Sequence, residues 1–138
     1  MSGSERGRTE RGGTESTADA SSLDLARVIA GIADAEHGSD VLVLEVGDVL
    51  GVTEYFVIVS ASNRRLVRTL VDEIEVQTRQ QTGRSPLRSE GVRENQWVLV
   101  DYGDVVVHVF LAEVREFYEI ERLYTDVPKV DWSDAATA

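Results

Sequence analysis

Two strongly apolar runs separated by a short polar turn constrain the fold of this chain more than any other feature. The runs cover residues 97–100 and 105–110, and the four residues between them include Gly103. Valine-rich runs of this length favour buried strands, and a four-residue connection that contains glycine favours a hairpin. The sequence therefore predicts two antiparallel strands in the sheet of a folded domain.

Helical and strand patterns alternate along the rest of the chain. Apolar residues recur at helical spacing from Ser21 until Gly38, and a second helix is expected between Asn63, a good N-cap residue, and Gly83. Further strands are predicted at residues 41–46 and 54–60, and a short extended piece at residues 87–89. The order predicts an α/β domain with a mixed sheet of about five strands and flanking helices.

A third helix is predicted over residues 113–124. Its apolar side chains are available for packing, and they are Val114, Phe117, Tyr118, Ile120 and Tyr124. Two glycines, Gly47 and Gly51, are expected to lie in a loop between the first two strands.

Length and composition predict one domain with two tails. Residues 1–20 are almost all small or polar and should form a disordered N-terminal tail, residues 21–126 a single domain, and residues 127–138 a C-terminal tail. No apolar run approaches the roughly 20 residues that cross a bilayer, and the N-terminus has no signal-like stretch. The absence of cysteine excludes disulfides and thiolate metal sites. We therefore expect a cytoplasmic protein.

The charge of the chain is strongly acidic and unevenly distributed. Lys and Arg number 14 against 25 Asp and Glu, which gives a net charge of −11. Residues 64–93 carry seven Arg against four acids, whereas residues 21–63 carry one Arg against seven acids, and residues 94–138 carry three basic residues against ten acids. An acidic chain repels polyanions and attracts basic partners. The basic middle suits polar contacts with a mixed surface of protein and RNA.

Few residues suggest catalysis. Asp101 and Asp104 flank the predicted turn and are interpreted as turn residues, although an acidic metal site is the alternative. Glu119 and Glu121 are interpreted as part of a solvated helix face. His108 lies within an apolar strand and is interpreted as a packed, hydrogen-bonded histidine rather than a catalytic one.

The turn over residues 60–65 supports a rival, enzymatic interpretation. It connects a strand to a helix, where nucleotidyltransferases hold phosphates with a Gly-Ser turn, but Ala61 stands in place of the glycine. No Asp-x-Asp follows on either strand of the predicted hairpin. Trp97 leaves two alternatives open, because it fits either the core or a partly exposed binding anchor.

Three strings together resemble one known family. These are Glu90-Gly91, the run over residues 97–110 and the Arg-Glu-Phe-Tyr-Glu-Ile-Glu string over residues 115–121, and residues 52–60 match the strand that precedes them. The chain resembles the ribosomal silencing factor family, also called Iojap-like, over about residues 23–126. Glu54, Ala61 and Tyr124 depart from the family pattern, in which Asp, Gly and often Trp stand there.

The resemblance implies a nucleotidyltransferase-like α/β fold without enzymatic activity, and it implies no cofactor and no metal. It implies binding to the large ribosomal subunit through large-subunit ribosomal protein fourteen, which blocks association with the small subunit and lowers translation when nutrients are short. Homodimers are common in the family. Nucleic-acid binding is expected only as contacts with ribosomal RNA, and no membrane binding is expected. An assembly factor for the large subunit is the alternative function.

The resemblance also implies a set of partner-binding residues. Trp97 matches a tryptophan of the family's binding surface, and this match favours the anchor interpretation over the core interpretation. The positions carried over from the family motifs are Trp97, Glu90, Asp101, Tyr102, Asp104 and His108.

Overall fold

The predicted hairpin forms two adjacent strands of a six-stranded sheet. A computed structural model describes the backbone of residues 13–133 and the side chains of residues 22–133. Its strands are β1 Ser39–Glu45, β2 Tyr55–Ala61, β3 Arg88–Glu90, β4 Trp97–Asp101, β5 Val105–Leu111 and β6 Lys129–Val130. Its helices are α1 Gly13–Ala35, α2 Gly47–Leu50, α3 Arg64–Thr82 and α4 Ala112–Tyr118, followed by a 3-10 helix at Ile120–Tyr124.

The sheet is mixed, as predicted. Its strand order is β3-β4-β5-β2-β1-β6, in which β2 and β5 run parallel and every other neighbouring pair is antiparallel. The parallel pair is in register over seven residues, from Tyr55 opposite Val105 to Ala61 opposite Leu111. Parallel neighbours require a crossover connection, and α3 lies in the connection between them. The α/β class is therefore confirmed.

One face of the sheet is covered by α1 and α3. Alternate residues of β5, namely Val105, Val107 and Val109, point to this side and are fully buried. The apolar stripe of α3 packs on them, and its buried members are Val67, Leu70, Val71 and Ile74. The Asn63 side chain accepts a hydrogen bond from the backbone N–H of Leu66 at 2.8 Å, which confirms the predicted N-cap.

The opposite face is covered only in part. Its buried apolar side chains are Leu44, Val46, Phe56, Ile58 and Phe110. The chain after β5 supplies a partial cover through Val114, Ile120 and Tyr124. Within the described residues, none of the helices is long and apolar enough to span a bilayer.

The prediction of one helix over residues 113–124 is wrong, because the chain turns at Glu119. This residue has φ 47° and ψ 50°, which ends α4 at Tyr118 and starts the 3-10 helix at Ile120. The turn brings Glu121 to Arg115, whose Nε lies 3.0 Å from the carboxylate. Side chains six positions apart point to different sides of a continuous helix, so the ion pair requires the break.

Two other boundaries differ from the predictions. Helix α1 begins at Gly13 rather than at Ser21, since a helix held by packing needs no new nucleus to extend towards its N-terminus. The tail over residues 1–20 was predicted to be disordered, but residues 13–20 belong to α1, and residues 1–12 lie outside the described residues. The loop that was expected around Gly47 and Gly51 contains the short helix α2, which Gly51 ends with φ 76°.

The region assigned to the C-terminal tail supplies a sixth strand. Lys129 and Val130 of β6 pair with Leu44 and Val43 of β1, which covers part of an edge. The indole Nε1 of Trp132 donates a hydrogen bond to the Val41 carbonyl at 3.2 Å, and its half-buried ring packs against the core. The short strand has little apolar character, so periodicity did not reveal it.

We predict that Trp132→Ala lowers the free energy of unfolding by about 1–3 kcal/mol, because it removes part of a core contact and one hydrogen bond. Trp132→Phe keeps most of the apolar contact and should cost less. Urea denaturation followed by circular dichroism measures both. A Trp132→Ala variant as stable as the wild type would show that the tail does not contribute to stability.

Candidate functional site

One end of the sheet gathers the starts of three elements. Because β2 and β5 are parallel and Ala61 pairs with Leu111, the helices α3 and α4 both begin at this end, on opposite faces. Trp97 starts β4 at the same end, since it pairs with Phe110. We call this the carboxyl end of the sheet. It is the position at which open α/β sheets commonly bind their partners and ligands.

Three aromatic residues form a continuous surface at the carboxyl end, which we call the aromatic surface: Trp97, Phe117 and Tyr118. The Trp97 ring stacks on buried Phe110, with 4.7 Å between ring centroids, and lies 5.2 Å from Tyr118. Tyr118 in turn contacts Phe117 edge to face at 5.0 Å. Phe117 is 79% exposed and Tyr118 55% exposed. The sequence made both available for packing in the predicted helix, but neither is buried in the core.

Buried His108 fixes the orientation of the Trp97 ring. The indole Nε1 of Trp97 donates a hydrogen bond to Nδ1 of His108 at 3.2 Å. His108 is buried, its ring lies 4.6 Å from Phe56, and its Nε2 has no hydrogen-bond partner among the described residues. Burial lowers the pKa of His108 to about 4, so the ring is neutral near pH 7. The interpretation as a packed, hydrogen-bonded histidine is confirmed.

Carboxylates surround the base of α4 beside the aromatic surface. A groove of about 390 Å³ lies here, lined in part by the acidic residues Asp40, Glu113, Glu116, Glu119 and Glu121. Arg115 is directed into the fold rather than outward, and its Nη1 donates to the Ser60 hydroxyl and the Asp40 carbonyl. Glu121, which was interpreted as part of a solvated face, accepts from Arg115 instead. The exposed charge next to the aromatic residues is therefore mainly negative.

Three of the candidate residues lie at the opposite end of the sheet. Asp101 accepts a hydrogen bond from the Gly103 N–H at 2.7 Å and pairs with Arg88, which confirms its interpretation as a turn residue. Tyr102 is only 2% exposed, so it has almost no surface to offer a partner. Burial raises the pKa of Tyr102.

Asp104 joins three elements at that opposite end. Its carboxylate accepts from Nη2 of Arg84 at 2.7 Å and from the hydroxyl of Ser22 in α1 at 2.6 Å. Burial alone would raise the pKa of Asp104, but these hydrogen bonds and the charge of Arg84 outweigh it and hold the pKa below its usual value. The role of Asp104 is therefore structural.

The candidate set is thus divided between the two ends. Trp97 and His108 lie together, and exposed Glu90 lies on the edge strand β3, opposite Leu99 of β4. The structure does not bring Asp101 and Asp104 to them. The two groups are separated by about the length of β5, which is roughly 20 Å for a seven-residue strand.

The same distance argues against the enzymatic interpretation. Ser60 lies at the carboxyl end, whereas Asp101 and Asp104 lie at the other end, so these groups do not converge on one substrate. The Ser60 hydroxyl already accepts a hydrogen bond from Arg115 at 2.9 Å. Among the described residues, no group of three or more histidine and acidic side chains converges as a metal site would require.

Comparisons with known proteins identify the family. The family model described as ribosomal silencing factor during starvation matches residues 19–138. The chain belongs to this family. The ribosomal silencing factor of Bacillus subtilis is 35% identical over 107 residues, which cover 78% of this chain and 90% of the relative.

Two further relatives extend the comparison. A crystal structure of a Chromobacterium violaceum protein has a TM-score of 0.66 and 31% identity, covering 75% of this chain and 83% of that one. The mouse protein named mitochondrial assembly of ribosomal large subunit protein 1 is 34% identical over 92 residues, 65% of this chain and 40% of the relative. The family is thus named for ribosome silencing and also includes a relative named for large-subunit assembly.

We predict that the stability of this domain falls as pH decreases from about 6.5 to 4. The unfolded chain takes up a proton on His108 in this window before the folded protein does, and the effect totals roughly 3 kcal/mol. His108→Gln, which removes the titrating ring, should flatten this part of the profile in urea denaturation. His37→Asn, a change of the exposed histidine, retains His108 and should keep the wild-type slope.

A second loss of stability is predicted below about pH 4, where Asp104 takes up a proton. Because the folded-state pKa is lowered, the stabilisation by Asp104 is present above the unfolded pKa and disappears as pH falls through the folded one. Asp104→Asn should lower the free energy of unfolding at pH 7 by about 1–2 kcal/mol and weaken this acid loss. Asp48→Asn, on exposed α2, is the control. Equal acid profiles for both variants would contradict the role assigned to Asp104.

Proposed function

We propose that this chain is a ribosomal silencing factor that binds the large ribosomal subunit through large-subunit ribosomal protein fourteen. Bound there, it obstructs the small subunit and represses translation under nutrient limitation. Family membership supports the link to ribosome silencing. The partner and the steric mechanism are the part that we propose.

The single observation that carries the proposal is the exposure of Phe117 and Tyr118 on the ring of Trp97. Exposed aromatic groups that rest on a rigid, buried base are the usual centre of a protein interface. Stacking on Phe110 and the hydrogen bond to His108 hold the indole in one orientation. Such an anchor loses little side-chain entropy when it binds.

The charge around the aromatic surface supports a basic protein partner. Glu113 and Glu116 are exposed beside the aromatic residues, and the chain as a whole carries −11. Complementary charge at the rim of an interface speeds association and makes it sensitive to salt. Ribosomal proteins are strongly basic, so a protein component of the ribosome suits this surface.

Steric obstruction needs affinity and bulk, and it needs no chemical step. A micromolar to nanomolar complex corresponds to about 8 to 12 kcal/mol of binding free energy. The aromatic surface and its acidic rim suit a complex of this strength. We therefore propose a binding protein rather than an enzyme.

We predict that Phe117→Ala weakens binding to large subunits about 30-fold, the effect of losing roughly 2 kcal/mol at an interface hot spot. The variant should fold normally because the side chain is 79% exposed. Co-sedimentation with purified large subunits measures binding, and light scattering after addition of small subunits measures joining. Trp97→Ala should also weaken binding, but it uncovers Phe110 and removes the donor to His108, so its stability must be measured as well.

Val52→Ala is the matched control. Val52 is 84% exposed and apolar like Phe117, but it precedes β2 at the opposite end of the sheet. It should bind as the wild type does. Equal binding by the Phe117→Ala and Val52→Ala variants would contradict the assignment of the aromatic surface. A wild-type protein that does not bind large subunits, or binds without reducing joining, would contradict the silencing function.

A role in assembly of the large subunit is the second candidate, because the mouse relative is named for it. Mature and precursor large subunits can be compared in the same sedimentation assay. Preference for precursors without an effect on joining would favour assembly over silencing.

A further inference from the structure

Four arginines form a compact basic patch on this acidic protein. Arg64, Arg65 and Arg68 are exposed in the first two turns of α3, and Arg93 is exposed in the connection between β3 and β4. Positions three and four apart on a helix are neighbours, so Arg68 lies beside both Arg64 and Arg65. We call these four residues the arginine surface.

A groove connects the two parts of the arginine surface. Arg68 and Arg93 both line it, and its volume is about 360 Å³. The other lining residues are Val71, Asp72, Val92 and Asn95. Asp72 supplies one negative charge here, and the four guanidinium groups outnumber it.

Among the described residues, none of these four arginines forms an ion pair with a carboxylate. Other arginines do, namely Arg84, Arg88, Arg115 and Arg122. The arginines of the arginine surface are thus cations that the rest of the described fold leaves uncompensated. A guanidinium group offers a planar fork of donors, which matches the oxygen atoms of a phosphate.

We propose that the arginine surface binds the phosphate backbone of folded RNA. An overall charge of −11 repels a polyanion, so RNA can approach closely only where cations are concentrated and uncompensated. A duplex or hairpin presents phosphates in a continuous row, to which a helix with three adjacent arginines and a fourth across a groove can bind. This activity is separate from the protein contact proposed for the aromatic surface and does not depend on it.

The two surfaces lie at the same end of the sheet. Gly91 has φ 83°, and its Cα packs so closely on the Trp97 carbonyl that a side chain would collide with it. The turn that carries Arg93 is therefore fixed against the start of β4. A partner that presents protein and RNA side by side can contact the aromatic and arginine surfaces together.

The test is a binding titration with a fluorescent RNA hairpin of roughly 20 base pairs at about 50 mM salt. The triple variant Arg64→Gln, Arg65→Gln, Arg68→Gln should bind at least about tenfold more weakly than the wild type. Its plot of log affinity against log salt should also lose a slope of about 2 to 3, because each phosphate contact contributes nearly one.

The matched control removes the same charge elsewhere. Arg79→Gln, Arg88→Gln, Arg122→Gln changes three exposed arginines outside the arginine surface and should bind RNA nearly as the wild type does. Circular dichroism and urea denaturation establish that both triple variants fold. Equal losses in the two variants would mean that total charge alone matters, and this result would overturn the proposal.

Two other results would also overturn it. One is no binding of the wild type to the hairpin at about 100 µM protein, a concentration at the weak limit of ordinary non-specific affinity. The other is competition by a polyglutamate peptide as effective as by unlabelled RNA, which would indicate an acidic protein as the partner. Phe117→Ala should bind the hairpin like the wild type, so this proposal and the proposed silencing function can fail independently.

Discussion

The parallel pairing of β2 with β5 is the constraint on which the rest of the structure depends. All seven residues of β2 are buried, and the pairing from Tyr55 to Ala61 fixes where both strands end. Because both strands end at the carboxyl end of the sheet, the two helices that follow them start there. Helix α3 packs on one face of the sheet and α4 on the other. The arginines of α3 and the aromatic residues of α4 thus lie at the same end of the molecule although they are distant in sequence.

A largely buried arginine, Arg115, determines what the second of these helices exposes. Arg115 donates to Ser60 at the end of β2 and pairs with Glu121 beyond the helix, which is possible only because Glu119 adopts a left-handed backbone. That conformation costs a non-glycine residue about 1–2 kcal/mol. The ion pair and the partial burial of Ile120 and Tyr124 offset this cost. The break leaves Phe117 and Tyr118 on the last turn of α4, outside the core.

Local patterns predict most of the fold and little of the site. The valine runs of β4 and β5 and the Asn63 cap identify their elements, because apolar periodicity and capping are properties of neighbouring residues. The break at Glu119 is not predictable in this way, since it depends on a contact with β2. The candidate residues illustrate the same limit: Asp101 to Asp104 are close to Trp97 in sequence, but an extended strand separates them in space. Resemblance to a family identifies a motif, but it does not show which residues of the motif bind a partner and which, like Asp101, support the turn between β4 and β5.

The distribution of charge explains how an acidic protein can be suited to a ribosome. If the four arginines of the arginine surface were spread over the protein, the net charge of −11 would mask them. Their concentration on the side that α3 covers gives the carboxyl end a basic part, while Glu113 and Glu116 of α4 keep the part beside the aromatic surface acidic. A uniformly basic ligand or RNA alone would match only one of these parts. A surface on which a basic protein meets RNA matches both, and charge complementarity then favours a single orientation of docking.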